Sequence, residues 1–205
     1  MSGWTTHEGI ATALDRESVD TDQLIPARFM STPRAEGYGR FLLHDLRFDA
    51  DGAPVPDFPL NATPEASVLV TRRNFGSGSS REAAVYALVD FGIRAVVAPS
   101  FGDIFASNAV NNGLLPARVS EAEADALIAV LAGGGAPARI DLDTRSLEIG
   151  GRRVTFALDD IWQQKLVNGW DDIDLTRHHA DAIAAFRETR LRRHPWAIPR
   201  GEGAR

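Results

Sequence analysis

The segment Asn74-Phe75-Gly76-Ser77-Gly78-Ser79-Ser80-Arg81-Glu82 sets two hydroxyls and a guanidinium directly behind a glycine-broken loop. The apolar run Ser67-Val68-Leu69-Val70 feeds this loop, and Gly92 and a second apolar run, Ala95-Val96-Val97-Ala98, come after it. That order reads as strand, loop, helix, strand. The start of a helix carries unpaired N–H groups and the positive end of its dipole, so it favours an anion. Arg81 adds a planar fork able to hold a carboxylate bidentately. The glycines let a ligand approach the backbone. Together these residue types suit capture of a small, negatively charged molecule. Ser79-x-x-Glu82 also fits a capping box, in which the serine serves only its own helix.

Three familiar motifs fail on residue identity. Gly76-x-Gly78 begins a dinucleotide fingerprint, but Arg81 stands where the third glycine belongs. A phosphate-binding P-loop needs Gly-Lys-Ser/Thr, and no lysine is present here. A nucleophile elbow needs Gly-x-Ser-x-Gly, and neither serine frame supplies both glycines.

The elements that must hold these groups are legible in outline. Weak alternation over residues 7–15 predicts a strand, and the polar, turn-rich Asp20–Pro26 follows it. Residues 27–66 hold many prolines and glycines around one short apolar patch, Phe41-Leu42-Leu43, and form a loop-rich excursion. Short helices are expected over about 103–112 and 120–131, the latter opened by Ser120-x-x-Glu123. Alternation from Ala138 to Phe156, broken by Gly150-Gly151, predicts a hairpin. A last helix is expected from Leu175 to Leu191. The class is α/β, with one domain over 1–191 and a basic, loosely ordered tail over 192–205.

The 205 residues carry a formal net charge of −6 and contain no cysteine. The acidic balance argues against a nucleic-acid partner. Without cysteine, disulfides, thiol nucleophiles and a cysteine-held iron–sulfur cluster are excluded within this chain. No apolar run approaches the ~20 residues of a membrane span, and the N-terminus lacks a basic start and an apolar stretch. A cytoplasmic location is therefore expected. The adjacent pair His178-His179 is a poor metal site, because neighbouring residues on a helix do not face one another.

Asp20-Thr21-Asp22-Gln23-Leu24-Ile25-Pro26-Ala27-Arg28-Phe29 resembles the N-terminal signature of the small subunits of 3-isopropylmalate dehydratase, in the aconitase superfamily. So do the glycine–serine segment, Ala98-Pro99-Ser100-Phe101-x-Asp103-Ile104-Phe105, and Asn112-Gly113-Leu114-Leu115-Pro116. The likeness extends to Leu175-Thr176 and His179, so it covers nearly the whole chain.

This resemblance implies a layered β/β/α swivelling domain, like the C-terminal domain of aconitase. It implies reversible dehydration of a hydroxy diacid, with Ser79 as base and Asp22 near the reacting centre. Arg81 would clamp a substrate carboxylate, and Ser80, Thr21 and Arg28 would contact substrate. The segment from Met30 to Gly39 corresponds to the substrate-discriminating loop, with Arg34 and Tyr38 as its candidate contacts. The 4Fe–4S cluster of the superfamily would reside in a large-subunit partner, and this chain would hold no metal. Two positions depart from the family pattern: Ala83 replaces a usual histidine, and Leu46 a common tryptophan. The alternatives are a paralogous dehydratase for a methyl-substituted malate or related diacid, a non-catalytic partner-binding paralogue, and a free-standing anion-binding domain.

Overall fold

In the computed structural model, which describes residues 2–197, β1 (Thr6–Leu14) is the pivot of a mixed sheet. It pairs parallel with β2 (Ala66–Thr71) on one side and antiparallel with β5 (Ala136–Asp141) on the other. Beyond β2 lie β3 (Ala95–Ala98) and β4 (Leu115–Arg118), both parallel to it. Parallel neighbours need long crossovers. Here they are α4 (Glu82–Phe91) and α5 (Asp103–Asn111). Beyond β5 lie β6 (Ser146–Ile149) and β7 (Arg152–Thr155), joined through Gly150 and Gly151 at φ +56° and +82°. Both values suit a two-residue hairpin turn, as the glycine pair predicts.

The strand order β4-β3-β2-β1-β5-β6-β7 closes on itself. Helix α6 (Glu121–Val130) packs against β1, β2 and β3 and also against β7. In a flat sheet, β3 and β7 would stand roughly 24 Å apart at ~4.8 Å per strand, too far for one helix to touch both. The sheet therefore curls around α6. Its two edges meet where Arg118 of β4 exchanges backbone hydrogen bonds of 3.4 and 2.8 Å with Ala157, just past β7.

This curl explains the unbroken apolar runs. Val68 and Val70 point into the curl, with Val97, Leu115, Leu127, Ile140 and Ile149. Leu69 and Val96 point outward, under α4 and α5, into a second cluster with Leu88, Phe75 and Phe105. Successive strand residues face opposite sides, and here both sides are covered.

Residues 27–66 are less open than their composition suggests. They contain three single 3₁₀ turns and, after α1 (Thr21–Leu24), two more short helices, α2 (His44–Arg47) and α3 (Pro59–Ala62). Leu42, Leu43 and Leu60 are fully buried. Burial of this kind is worth roughly 1.5–3 kcal/mol per side chain. Phe29 stacks on Phe41 at 4.3 Å between ring centres.

Helix α7 (Asp160–Asn168) was not anticipated from periodicity, although Asp159 caps its start and Gly169 ends it in the left-handed region. The chain divides into two compact units, Met1–Trp170 and Asp171–Arg205. The final helix is split. Asp171 and Asp174 form a capping box that opens α8 (Asp172–His178) early, and α9 (Ala180–Arg193) restarts after His179. Of the basic tail, Arg192 and Arg193 lie in the last turn of α9, and residues 198–205 lie outside the described residues. No helix among the described residues is long and apolar enough to cross a membrane.

Candidate active site

The loops that follow β1, β2 and β3 meet at the carboxyl ends of these parallel strands. That is where open α/β sheets place their ligands. The middle loop, residues 74–79, is pinned from both sides. On one side the Gly76 N–H donates to the Val19 carbonyl (2.7 Å) and the Thr21 N–H to the Ser77 carbonyl (3.0 Å). On the other, the Phe75 N–H donates to the Ser100 carbonyl (3.1 Å) and the Gly102 N–H to the Phe75 carbonyl (2.9 Å). Asn74, left-handed at φ +63°, secures the entry by donating its N–H to Ser100 Oγ (2.8 Å) and its Nδ2 to Ser18 Oγ (3.0 Å).

The two glycines of the loop do different things. Gly76 adopts φ +71°, and a Cβ there would lie 2.2 Å from the ring of Phe105. Its bareness makes room for a core ring, not for a ligand. Gly78 adopts φ +97°, and a Cβ there would meet Asp20 and Thr21 only at ordinary contact distance, 3.6 Å. A cleft of about 220 Å³ lies here, lined by residues 76–79 and by residues 102–105 at the start of α5.

The expected Ser79–Glu82 capping box does not form. Helix α4 opens at Glu82 with Arg81 as its N-cap and no side-chain cap. Ser79 is held instead by Thr21, which is only 1% exposed. Thr21 Oγ1 accepts from the Ser79 N–H (3.2 Å) and shares a 3.1 Å hydrogen bond with Ser79 Oγ. The same oxygen lies 3.3 Å from the Ser79 carbonyl. Thr21 itself is fixed by α1, whose capping box joins Asp20 and Gln23. Its buried hydroxyl thus supports Ser79 directly.

Arg81 forms an ion pair with Asp22, the residue after Thr21, so the two candidate charges meet beside Ser79. Ser80 is exposed between Ser79 and Arg81. Glu82 turns away from the loop. Its carboxylate accepts from Asn112 Nδ2 (2.9 Å) and hydrogen-bonds Tyr86, whose phenol is raised above its ordinary pKa by burial and by Glu82. Sequence inspection missed Asn112 and Tyr86 as supports of this helix start. The Asn112-Gly113 pair was legible only as part of a motif.

Other candidates are engaged elsewhere. Arg28 pairs with Asp45, and this hydrogen bond holds the Asp45 carboxyl below its usual range. Arg34 lies over the Tyr86 ring at 3.4 Å and pairs with Asp90 at 3.6 Å. Tyr38 is buried and donates its hydroxyl to the Thr32 carbonyl (2.8 Å), while its N–H donates to Asp90 Oδ2 (2.9 Å). Tyr38 is therefore an anchor of the 30–39 loop, and Arg34 is the member on its surface. His178 and His179 meet edge to face at 5.3 Å. Among the described residues, no group of three or more His, Cys, Asp or Glu could hold a metal ion. Ala83 is buried in the apolar cluster beneath α4.

The sequence and the fold have counterparts among known proteins. The sequence profile described as the aconitase C-terminal domain matches residues 1–122. The 3-isopropylmalate dehydratase small subunit of Shouchella clausii is 45% identical over 183 residues, covering 88% of this chain and 92% of that protein. The one from Shewanella baltica is 44% identical over 197 residues, covering 93% and 98%. The crystal structure of a 3-isopropylmalate dehydratase from Methanocaldococcus jannaschii superposes with a TM-score of 0.65 at 26% identity, over 88% of this chain and 98% of that one. Long identity over nearly full lengths, on the curled sheet that carries the serine loop, means that this chain belongs to the small subunits of 3-isopropylmalate dehydratase, a family built on the aconitase C-terminal domain.

Proposed function

We propose that this chain, joined to a large subunit, interconverts 2-isopropylmalate and 3-isopropylmalate by dehydration and rehydration, a step of leucine biosynthesis. The observation that carries the proposal is the Thr21-supported Ser79 beside the Arg81–Asp22 pair at an uncapped helix start.

Ser79 Oγ is the base. A serine hydroxyl is a weak base until its ionised form is stabilised. Thr21 Oγ1 can turn its single proton onto an ionised Ser79 Oγ, as a charge-assisted hydrogen bond. The positive end of α4 and the Arg81 guanidinium add to this. Arg81 holds a substrate carboxylate through its remaining N–H donors and so sets the adjacent C–H against Ser79. Asp22 orients Arg81 in the absence of substrate. Ser79 takes the proton from the carbon beside the carboxylate, and the C–H electron pair becomes the C=C bond. The C–O bond of the hydroxyl breaks with its pair on oxygen. The returning water adds its hydroxyl to the other carbon, and Ser79 gives back the proton.

Departure of hydroxide needs an electrophile. This chain has no cysteine, so its residues do not fit a 4Fe–4S cluster. In the proposal that group belongs to the large subunit, and no step is assigned to residues of this chain for it. Arg34, on the surface of the 30–39 loop, is the candidate contact for the rest of the substrate.

Mixing the chain with its reconstituted large subunit and following alkene formation by ultraviolet absorbance tests the proposal. Turnover of isopropylmalate by the complex, and none by either chain alone, is the expected result. Turnover restricted to a methyl-substituted malate would move the assignment to a paralogous dehydratase. Silence on every diacid would overturn the catalytic proposal.

A further inference from the structure

The start of α4 carries an acid of its own. Glu82 is the first residue of α4 and directly follows Arg81, the proposed carboxylate clamp. An acidic side chain in the first turn is drawn to the positive end of its own helix. Helix α6 shows what the same serine–glutamate spacing does when nothing intervenes: the Glu123 carboxylate folds back onto the Ser120 N–H at 2.8 Å. A Glu82 that folded back in this way would occupy the donors that a substrate carboxylate needs. Instead its carboxylate accepts from Asn112 Nδ2 at 2.9 Å. Asn112 is the C-cap of α5, the negative end of that helix, where the dipole disfavours a carboxylate. A specific donor is therefore needed to hold Glu82 there. Asn112 is fixed for the task. Its Nδ2 also donates to the Asn108 carbonyl (2.9 Å), and its backbone N–H reaches the Asn108 and Ala109 carbonyls at 3.1 and 3.0 Å. Tyr86, one turn along α4 from Glu82, shares this face, and the Arg34 guanidinium lies over its ring at 3.4 Å.

We infer that Asn112 is a positioning residue for the proposed reaction: it holds the Glu82 carboxylate away from Arg81 and the start of α4, so that this start stays open to a carboxylate of the diacid. This rests on Arg81 acting as the clamp of an isopropylmalate-converting complex. Asn112 touches no substrate in this role. It acts through Glu82, by removing a charge that would compete with the diacid for the same N–H groups. A competitor of that kind weakens ground state and transition state alike, so its release raises KM and leaves kcat in place.

The test is steady-state kinetics of the reconstituted complex on isopropylmalate. Asn112→Asp keeps the shape of the side chain, loses the donor and sets a second carboxylate beside Glu82. It is expected to raise KM by about two- to five-fold, the worth of a charge at a helix end, with kcat unchanged. In Asn112→Asp/Glu82→Gln the amide and the carboxylate trade places and the hydrogen bond re-forms, so KM is expected to return to the wild-type value. Asn112→Ala is expected to raise KM as well, and Glu82→Gln to reverse that rise, because no carboxylate is left to compete. Wild-type KM in both Asn112 variants overturns the inference. So does a rise that Glu82→Gln leaves in place, or a loss confined to kcat, either of which reduces Asn112 to a cap of α5. A wild-type complex that turns over only a methyl-substituted malate corrects the substrate, and the same comparison on that diacid decides the role of Asn112. A wild-type complex silent on every diacid removes the proposed reaction and the role of Asn112 together.

Discussion

Two helix starts in this molecule carry the same spacing and use it in opposite ways. At α6, the Ser120 hydroxyl accepts from the Glu123 N–H (3.2 Å), and the Glu123 carboxylate accepts from the Ser120 N–H (2.8 Å). The helix satisfies its own orphan donors, and the pair has nothing left to offer a ligand. At α4, Ser79 and Glu82 are equally spaced but point apart. Ser79 is taken by Thr21 from the loop after β1, and Glu82 by Asn112 from the end of α5. The start of α4 has no side-chain cap and leaves Ser79 exposed. A helix start becomes chemically available when other segments hold its residues away from their local partners.

The sharpest way to break this contrast is at the serine itself. Ser79→Ala in the complex should lower kcat by about 10²–10⁴-fold, the range for loss of a general base, with the melting temperature unchanged. Near-normal turnover would make Ser79 no more functional than Ser120. Gly76→Ala probes the loop that separates the two starts. A left-handed alanine whose Cβ meets the Phe105 ring should cost about 2–4 kcal/mol in chemical denaturation. A loss below 1 kcal/mol would mean that the loop yields easily and does not pin Ser79.

Thr21→Val keeps the volume and removes the hydroxyl. Loss of a hydrogen bond to a charged oxygen should cost roughly 1.5–3 kcal/mol in the transition state, about 10- to 150-fold in kcat. KM should change little, and Thr21→Ser should restore most of the rate. A defect not rescued by serine would assign Thr21 to packing alone. The smallest effect belongs to α6. Ser120→Ala should cost about 1 kcal/mol of stability and leave turnover untouched. The Ser120 backbone N–H, then its hydroxyl, hold the Glu123 carboxyl below its ordinary pKa. The stability this adds is therefore complete above the unfolded value, about 4.3, and is lost as pH falls through the lower folded value. Acid titration of the variant should show a shallower loss there than the wild type.

Residues near one another in the chain were enough to mark much of this protein. Alternation and apolar runs marked β1, β2, β3 and the β5–β7 hairpins, because strand burial follows a two-residue period. Gly150-Gly151 specified its turn, Ser120-x-x-Glu123 its cap, and the absence of cysteine limited what the chain can bind. The long motifs sufficed to identify the family. Other features had no local signal. The 27–66 excursion was marked as loop by its prolines and glycines, yet Leu42, Leu43 and Leu60 tie it into the core. The curl around α6 needs β7 to meet the helix that also covers β3. Gly76 is a glycine because Phe105 arrives from α5. Arg81 meets Asp22, and Ser79 meets Thr21, only because parallel pairing brings the ends of β1 and β2 together. Local spacing proposes a partner for each polar group, and the converging strand ends put competing partners in reach. At Ser79 the distant one prevailed, and that outcome turned a capping motif into a candidate active site.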